Sequence, residues 1–196
     1  MVSLGVWSTR LIGKYEAALI ERPVPTKMAT GGVLWGTGDV VAQATSKKKD
    51  EAFDAPRISR AVIYGTIIHA PIAHVHYEFL EWFVRRVRVS QQAIPLVKVF
   101  MEQFVYWGWV SNSIYHFALA KMEGCDVSES VARVYDRLWP TMKAQWAFWI
   151  PVQYVNFKMV PVRHQLNVVL LTSVVWTAAL SLAFPPEKRV ADVAGE

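Results

Sequence analysis

Residues 149–163 read WIPVQYVNFKMVPVR, and this stretch decides how the rest of the chain is interpreted. It is apolar enough to be buried, yet it carries the polar side chains Gln153, Asn156, Lys158 and Arg163. A proline removes a backbone donor and frees a carbonyl one turn earlier, so two prolines make the stretch unusual as a core helix in water. In a membrane, neighbouring helices can satisfy such polar groups. We therefore expect this stretch to face protein rather than lipid.

The composition points to the same setting. The 196-residue chain is 53% hydrophobic and 19% charged, whereas about a quarter of the residues in a soluble domain are charged. Its single cysteine excludes an internal disulfide. The net charge of +5 predicts an anionic partner. Membrane lipids with anionic head groups fit better than nucleic acid, because no basic, aromatic-studded surface motif accompanies the charge.

Hydrophobic periodicity and proline positions predict the helices. Residues 1–22 predict an amphipathic helix at a membrane surface. Long helices are expected over 27–45, over 58–89 with a kink at Pro71, over 93–121 and through 149–163. Residues 128–139 predict a short amphipathic helix that Pro140 breaks, and 165–184 predict the clearest membrane span.

The predicted fold is therefore all-α: a polytopic membrane helical bundle of four to five long, partly kinked helices with an N-terminal amphipathic helix. Its parts are the amphipathic segment 1–22, the membrane bundle 23–186 and a polar C-terminal tail 187–196.

Several polar side chains interrupt the apolar runs and are the candidate functional residues. A charged or amide side chain inside such a run is costly unless it faces a cavity or a partner. For Glu102, Arg163 or Lys143 is a candidate partner. Two interpretations remain: the side chains line a path for small solutes, or they cross-link the helices by hydrogen bonds. They are Asp39, Gln43, Glu102, Gln103, Gln153, Asn156 and Arg163.

Glycines and prolines mark the candidate helix-packing positions. Gly32 and Gly36 form a face on which another helix can approach closely. Pro71, Pro151 and Pro161 are expected to shape the helices. The Gly36-Thr-Gly38 sequence resembles half of a dinucleotide-binding loop, but no strand precedes it and no third glycine follows, so helix packing is the better interpretation.

A histidine-rich stretch is the strongest candidate for a metal site. On a helix, His69 and His76 share one face, while His74, Glu78 and Glu81 share another, so the five cannot meet one ion. We therefore predict no metal and no cofactor. The chain also has no nucleophile motif and no phosphate-binding loop, which predicts that it is not an enzyme.

Many of these residues also carry a resemblance that runs from about residue 15 to residue 181. The matching positions are Tyr15, Leu19, Pro23, Thr26, Gly38, Asp39, Gln43, Arg57, Arg60, Gly65, Pro71, His74, Tyr77, Trp149, Pro151, Gln153, Asn156, Phe157, Pro161, Arg163, Trp176, Leu180 and Ser181. In this pattern the chain resembles the family of the Mpv-seventeen mitochondrial inner-membrane protein and the twenty-two-kilodalton peroxisomal membrane protein.

The sequence departs from that pattern at a few positions. Relatives typically have Asp-Gln followed by Pro where this chain has Glu102-Gln103 and then Gly108. His76 stands where Trp is usual, and Gln145 where Asn is usual. A longer acidic arm at residue 102 puts in doubt any pore geometry inferred from relatives.

The resemblance implies a non-enzymatic integral membrane protein of the mitochondrial inner membrane, similar to weakly selective channels or small-solute transporters. A peroxisomal membrane is the alternative location. The alternative function is a structural accessory subunit of a larger respiratory or ATP-synthase complex, and either a homo-oligomer or such a complex is a possible partner.

Overall fold

A computed structural model describes residues 4–46 and 52–183 of the chain. The predicted tail 187–196, the first three residues and part of the charged loop after residue 46 lie outside these ranges. The elements in chain order are α1 (Leu4–Glu21), α2 (Pro23–Ser46), α3 (Ala55–Ile63), the π-helical segment π1 (Tyr64–His69), α4 (Ala70–Arg86), α5 (Ile94–Phe100), the π-helical segment π2 (Met101–Val105), α6 (Trp107–Met122), α7 (Val127–Met159) and α8 (Val162–Ala183).

The prediction of a polytopic membrane bundle of four to five long helices is wrong. The chain is helical, but none of the helices within the described ranges is both long and apolar enough to cross a membrane. Helix α7 is long, yet its first half carries Glu129, Arg133, Asp136 and Arg137. Helix α8, predicted as the clearest span, interrupts its apolar residues with polar ones such as Gln165, Asn167 and Ser173.

Prolines affect the helices less than the sequence indicates. The sequence predicts that Pro140 breaks a short helix, but α7 continues through both Pro140 and Pro151. Pro161 lies in the break between α7 and α8. Pro71 lies in the first turn of α4, directly after π1. Proline cannot donate a backbone hydrogen bond to the preceding turn. The π-helical hydrogen bonding of π1 accommodates Pro71 within a helical run from residue 55 to residue 86.

Local side-chain chemistry sets several helix ends. The Asp54 carboxylate accepts a hydrogen bond from the Arg57 backbone and caps the start of α3. Asp126 and Glu129 form a capping box at the start of α7. After α6, Gly124 adopts a φ of 89°, which is the left-handed conformation that glycine tolerates beyond a helix C-terminus.

Helix packing builds a core in which α2 lies along α8 and α6 lies along α7. The central side chains are Tyr77 and Leu80 of α4, Phe157 of α7, and Leu166 and Leu170 of α8. Close backbone approach allows α2 to pack on π1, since a Cβ atom on Gly31 would lie 2.6 Å from the Gly65 carbonyl oxygen. This packing places α4, π2 and α7 side by side around a set of buried polar residues.

A buried polar network as the candidate functional site

Glu102 is the centre of a buried polar network. It lies in π2, where 1% of its surface is exposed. Gln153 Nε2 donates to Glu102 Oε1 at 2.6 Å, and the Tyr77 hydroxyl donates to the same oxygen at 3.5 Å. Gln103 Nε2 donates to the other oxygen at 3.4 Å. The carboxylate is therefore held by neutral donors.

His76 completes the surroundings of Glu102. Its Nε2 atom lies 3.4 Å from Glu102 Oε1, and its Nδ1 atom lies 2.7 Å from the Tyr106 hydroxyl. Burial lowers the pKa of His76, although the adjacent Glu102 carboxylate opposes this effect. A neutral imidazole that donates from Nε2 and accepts from Tyr106 at Nδ1 satisfies both contacts. Its ring also stacks on Trp107, with centroids 4.0 Å apart.

The network extends from Glu102 in two directions. On one side, Gln145 Nε2 donates to Gln103 Oε1 at 3.0 Å, and Asn112 Nδ2 donates to Gln145 Oε1. On the other side, Asn156 Nδ2 donates to Gln153 Oε1 at 2.8 Å and to the Gln165 backbone carbonyl at 3.1 Å. Hydrogen-bonded side chains thus form a continuous track from α6 through π2 and α7 to α8.

Helix register explains why neighbouring residues face the same interior. A π-helical segment bonds residue i to residue i+5 and occurs often at functional sites. In π2 both Glu102 and Gln103 are buried, although they are adjacent in sequence. The shift of register therefore places two consecutive polar side chains in one network.

Asp39 and Gln43 form a separate polar cluster. Asp39 accepts a hydrogen bond from Arg57 Nε at 2.8 Å and another from Gln43 Nε2 at 2.8 Å. The Gln43 amide also bonds both backbone groups of Asp54. This cluster fastens α2 to the start of α3, and neither Asp39 nor Gln43 is hydrogen-bonded to the Glu102 network within the described part of the chain.

Arg163 lies away from both polar groups. Its side chain is 59% exposed, and its Nε atom lies 2.9 Å from His164 Nε2 and 3.8 Å from Glu16 Oε2. Lys143, the other candidate partner of Glu102, lies over the Trp139 ring. The acid at residue 102 therefore bonds to Gln153, Tyr77, Gln103 and His76 instead.

The candidate packing glycines lie where α2 meets the helical run that begins at Ala55. Added Cβ atoms would contact the Thr66 hydroxyl from Gly32 and, at 2.7 Å, a Val62 methyl group from Gly36. Over the described residues, no group of three or more His, Cys, Asp or Glu side chains is placed to hold a metal ion.

Sequence reasoning missed several members of the network. Asn112 and Gln165 carried no signal that separates them from ordinary helix residues, whereas Tyr77 matched the family pattern but was not predicted to be a polar site residue. His76, Gln145 and Gly108 carried a signal, because the sequence departs from the pattern of the resembled family at each of these positions. A Cβ atom on Gly108 would lie 2.8 Å from Gln145 Nε2, so the glycine leaves room for that amide.

The fold and the network define an all-helical protein whose interior polar side chains bond mainly to one another. A family model described as the Mpv17 / PMP22 family matches residues 120–181. The chain is also similar to proteins called Protein SYM1. The one from Eremothecium gossypii is 32% identical over 85% of this chain and 92% of its own length.

Two further relatives give the same result. Protein SYM1 of Mycosarcoma maydis is 33% identical over 89% of this chain and 83% of its own length. Protein SYM1 of Saccharomyces cerevisiae is 30% identical over 88% of this chain and 89% of its own length. No solved structure matches the chain. The chain belongs to the Mpv17 / PMP22 family, which confirms the resemblance found in its sequence.

Proposed function

We propose that this chain is a non-enzymatic protein of the mitochondrial inner membrane and acts as a structural accessory subunit of a larger membrane complex. The observation that carries this proposal is the number of large apolar side chains exposed on several helices. Val33 of α2, Val75 of α4, and Leu171 and Val175 of α8 each expose at least 60% of their surface. Extended exposed apolar surface marks contact with protein partners or lipid.

The interior supports an accessory role over an open path. The side chains of the Glu102 network are buried and hydrogen-bonded to one another, so they hold α4, π2, α7 and α8 together. The basic, amphipathic start of the chain favours the mitochondrion, with the peroxisomal membrane as the alternative.

A native gel tests the accessory role. Membranes are solubilised gently, and this chain is identified in each band. We expect it to migrate with a larger complex and to remain there in a stronger detergent. Leu171→Gln with Val175→Gln should release it, whereas the exposed-site control Lys143→Gln should not. If the chain migrates without a larger complex in every detergent, the accessory role is contradicted. Organelle fractionation decides between mitochondrion and peroxisome.

The second candidate function is weakly selective conduction of small solutes along the Glu102 network. The observation that favours it is at one end of the track. The side-chain oxygens of Asn156 and Gln165 are buried and have no hydrogen-bond partner among the described residues. Such free acceptors can bond to a passing polar solute or to water.

Conductance of the purified protein in a planar bilayer tests this second candidate. Glu102→Gln removes the carboxylate charge from the network and should change ion selectivity, whereas Asp39→Asn removes a charge from the separate cluster and should not. Asp136→Asn, at an exposed position of α7, is the control. If Glu102→Gln leaves ion selectivity unchanged, the Glu102 network does not line a path.

A further inference from the structure

A cavity of about 300 Å³ lies apart from the Glu102 network. It is bordered by the end of α1, the start of α2, one face of α4 and the start of α8. This volume is at the lower end of the range for small-molecule sites. Basic side chains lie in its wall, namely Lys27, Arg85 and Arg163, together with His74.

Lys27 is the unusual residue in this wall. It is 2% exposed, and its Nζ atom lies 2.9 Å from His74 Nδ1. None of the carboxylates in the described residues lies within 4.0 Å of this ammonium group. Burial lowers the pKa of Lys27, and Glu78 opposes the effect. A buried cation without an adjacent anion is costly, which makes it a candidate to bind an anionic ligand.

His74 adds a second donor. Burial, and then the charge of Lys27, lower the pKa of His74, which favours the neutral ring. A neutral ring that accepts from Lys27 at Nδ1 carries its proton on Nε2. That N–H group is available as a hydrogen-bond donor beside the two remaining protons of the Lys27 ammonium.

The two acidic side chains in the wall do not accept the hydrogen bonds that Lys27 and His74 can donate. Glu81 is already paired, since Lys98 Nζ lies 2.6 Å from one oxygen and Arg85 Nε lies 3.0 Å from the other. Glu78 is the second acid in the wall and is exposed. Arg163 is 59% exposed, and its contacts with His164 and Glu16 both involve Nε, so its terminal nitrogens can reach a ligand.

We propose that this cavity binds a phosphate ester, with Lys27, His74 and Arg163 donating hydrogen bonds to the phosphate oxygens. Guanidinium and ammonium groups are the usual partners of phosphate in proteins. Glu78 accepts from a hydroxyl or ammonium group of the same ligand. The inference does not rest on the accessory role, because the cavity and the exposed apolar surface are separate features.

The surroundings of the cavity favour a lipid head group as the source of the phosphate. Leu19 lines the cavity, and its neighbour Ile20 is 65% exposed. Leu11 and Ile12 of the same helix are also mostly exposed. Apolar surface beside a basic site is the arrangement in which a phospholipid contacts protein with both its head group and its acyl chains.

Two binding measurements on the full chain test the proposal and separate the sources. Calorimetry in a neutral detergent measures binding of sn-glycerol 3-phosphate. Flotation measures binding to phosphatidylcholine vesicles with and without phosphatidylglycerol. Lys27→Gln and Arg163→Gln should each weaken binding by about tenfold or more, because each removes a charge-assisted hydrogen bond. Lys143→Gln removes the same charge at an exposed site and should leave binding unchanged.

Each outcome decides the proposal. Binding to vesicles alone that depends on Lys27 and Arg163 assigns the site to a lipid head group. Binding of the soluble ester without binding to vesicles, with the same dependence, assigns it to a free phosphate compound, and binding in both experiments assigns it to a lipid head group. No binding in either experiment, or equal weakening by Lys143→Gln, overturns the proposal and leaves the native-gel result untouched. If Lys27→Gln does not fold, the exposed Arg163→Gln variant decides.

Discussion

Asp39 and Glu102 are both buried carboxylates, and the protein stabilises them in different ways. Asp39 is paired with an arginine, and the Arg57 side chain remains 25% exposed. Glu102 is 1% exposed and is surrounded by amides, a tyrosine and a histidine whose pKa is lowered by burial. Near solvent, a full opposite charge offsets the loss of hydration; deep inside, several hydrogen bonds must do so. The Glu102 network therefore depends on all of its members, whereas the Asp39 cluster depends mainly on one pair.

Removing the carboxylate at residue 102 tests this difference most strongly. Glu102→Leu leaves the donors of Gln153, Tyr77 and His76 without the Glu102 acceptor. Each unsatisfied buried donor costs about 1–3 kcal/mol, so we expect the free energy of unfolding to fall by about 3–5 kcal/mol. Glu102→Gln retains one acceptor oxygen and should cost less, about 1–2 kcal/mol. Denaturant unfolding in detergent measures both.

The control for these variants is Asp136→Asn, at an exposed position of α7. It should change stability by less than about 0.5 kcal/mol. If Glu102→Leu lowers the free energy of unfolding by less than about 1 kcal/mol, the network contributes little to the stability of the fold.

Acid should destabilise the protein through the histidine His69. Burial, followed by the charge of His76, lowers the pKa of His69 from 6.5 to about 4. The unfolded chain therefore takes up this proton at higher pH than the folded chain does. The associated stability is complete above about pH 6.5 and is lost as pH falls toward 4. It amounts to at most about 3–4 kcal/mol, and to less because the residue is only half-buried.

His69→Phe tests this dependence. The ring contacts Trp35 and Tyr64, and its Nδ1 atom is buried without a hydrogen-bond partner among the described residues. The variant keeps an aromatic ring and removes the titrating group. We expect Tm to fall less between pH 6.5 and 4 than in the parent chain. Parallel Tm curves for His69→Phe and the parent would exclude this explanation.

Gly31→Ala tests whether the Asp39 cluster also depends on backbone packing. The new methyl group would meet the Gly65 carbonyl oxygen, which is backbone and cannot rotate away. We expect Gly31→Ala to lower the free energy of unfolding by about 1–3 kcal/mol. Gly13→Ala is the matched control, because its Cβ atom would have nothing within 4 Å. In a helix interior that change should raise stability by up to about 1 kcal/mol. Equal stability in the two variants would show that α2 can move away from π1 at little cost.

A double-mutant cycle measures the smallest effect, the coupling of Asp39 with Arg57. Asp39→Asn, Arg57→Gln and the double variant should give a coupling energy of about 1 kcal/mol, because one partner is accessible to solvent. A coupling above 3 kcal/mol would place this pair with the deeply buried network rather than apart from it.

The comparison also shows where sequence reasoning reached its limit. It selected Asp39, Gln43, Glu102, Gln103, Gln153 and Asn156 because polar side chains inside apolar runs are costly. It grouped them with Arg163 as one set, because spacing along a helix does not tell which helices pack together. The structure places the first two in one cluster, the next four in another and Arg163 on the surface.

The sequence by itself determined the helical character of the chain and its family, since both depend on residue types at fixed spacings. The number and continuity of the helices were decided by tertiary structure: π-helical segments precede Pro71 and contain Glu102, and α7 continues through two prolines. Tertiary structure also decided the partners of Glu102, because Gln153 and His76 reach it only when α4, π2 and α7 pack side by side. Periodicity records which side chains share a face of one helix, whereas these contacts depend on the positions of three helices relative to one another.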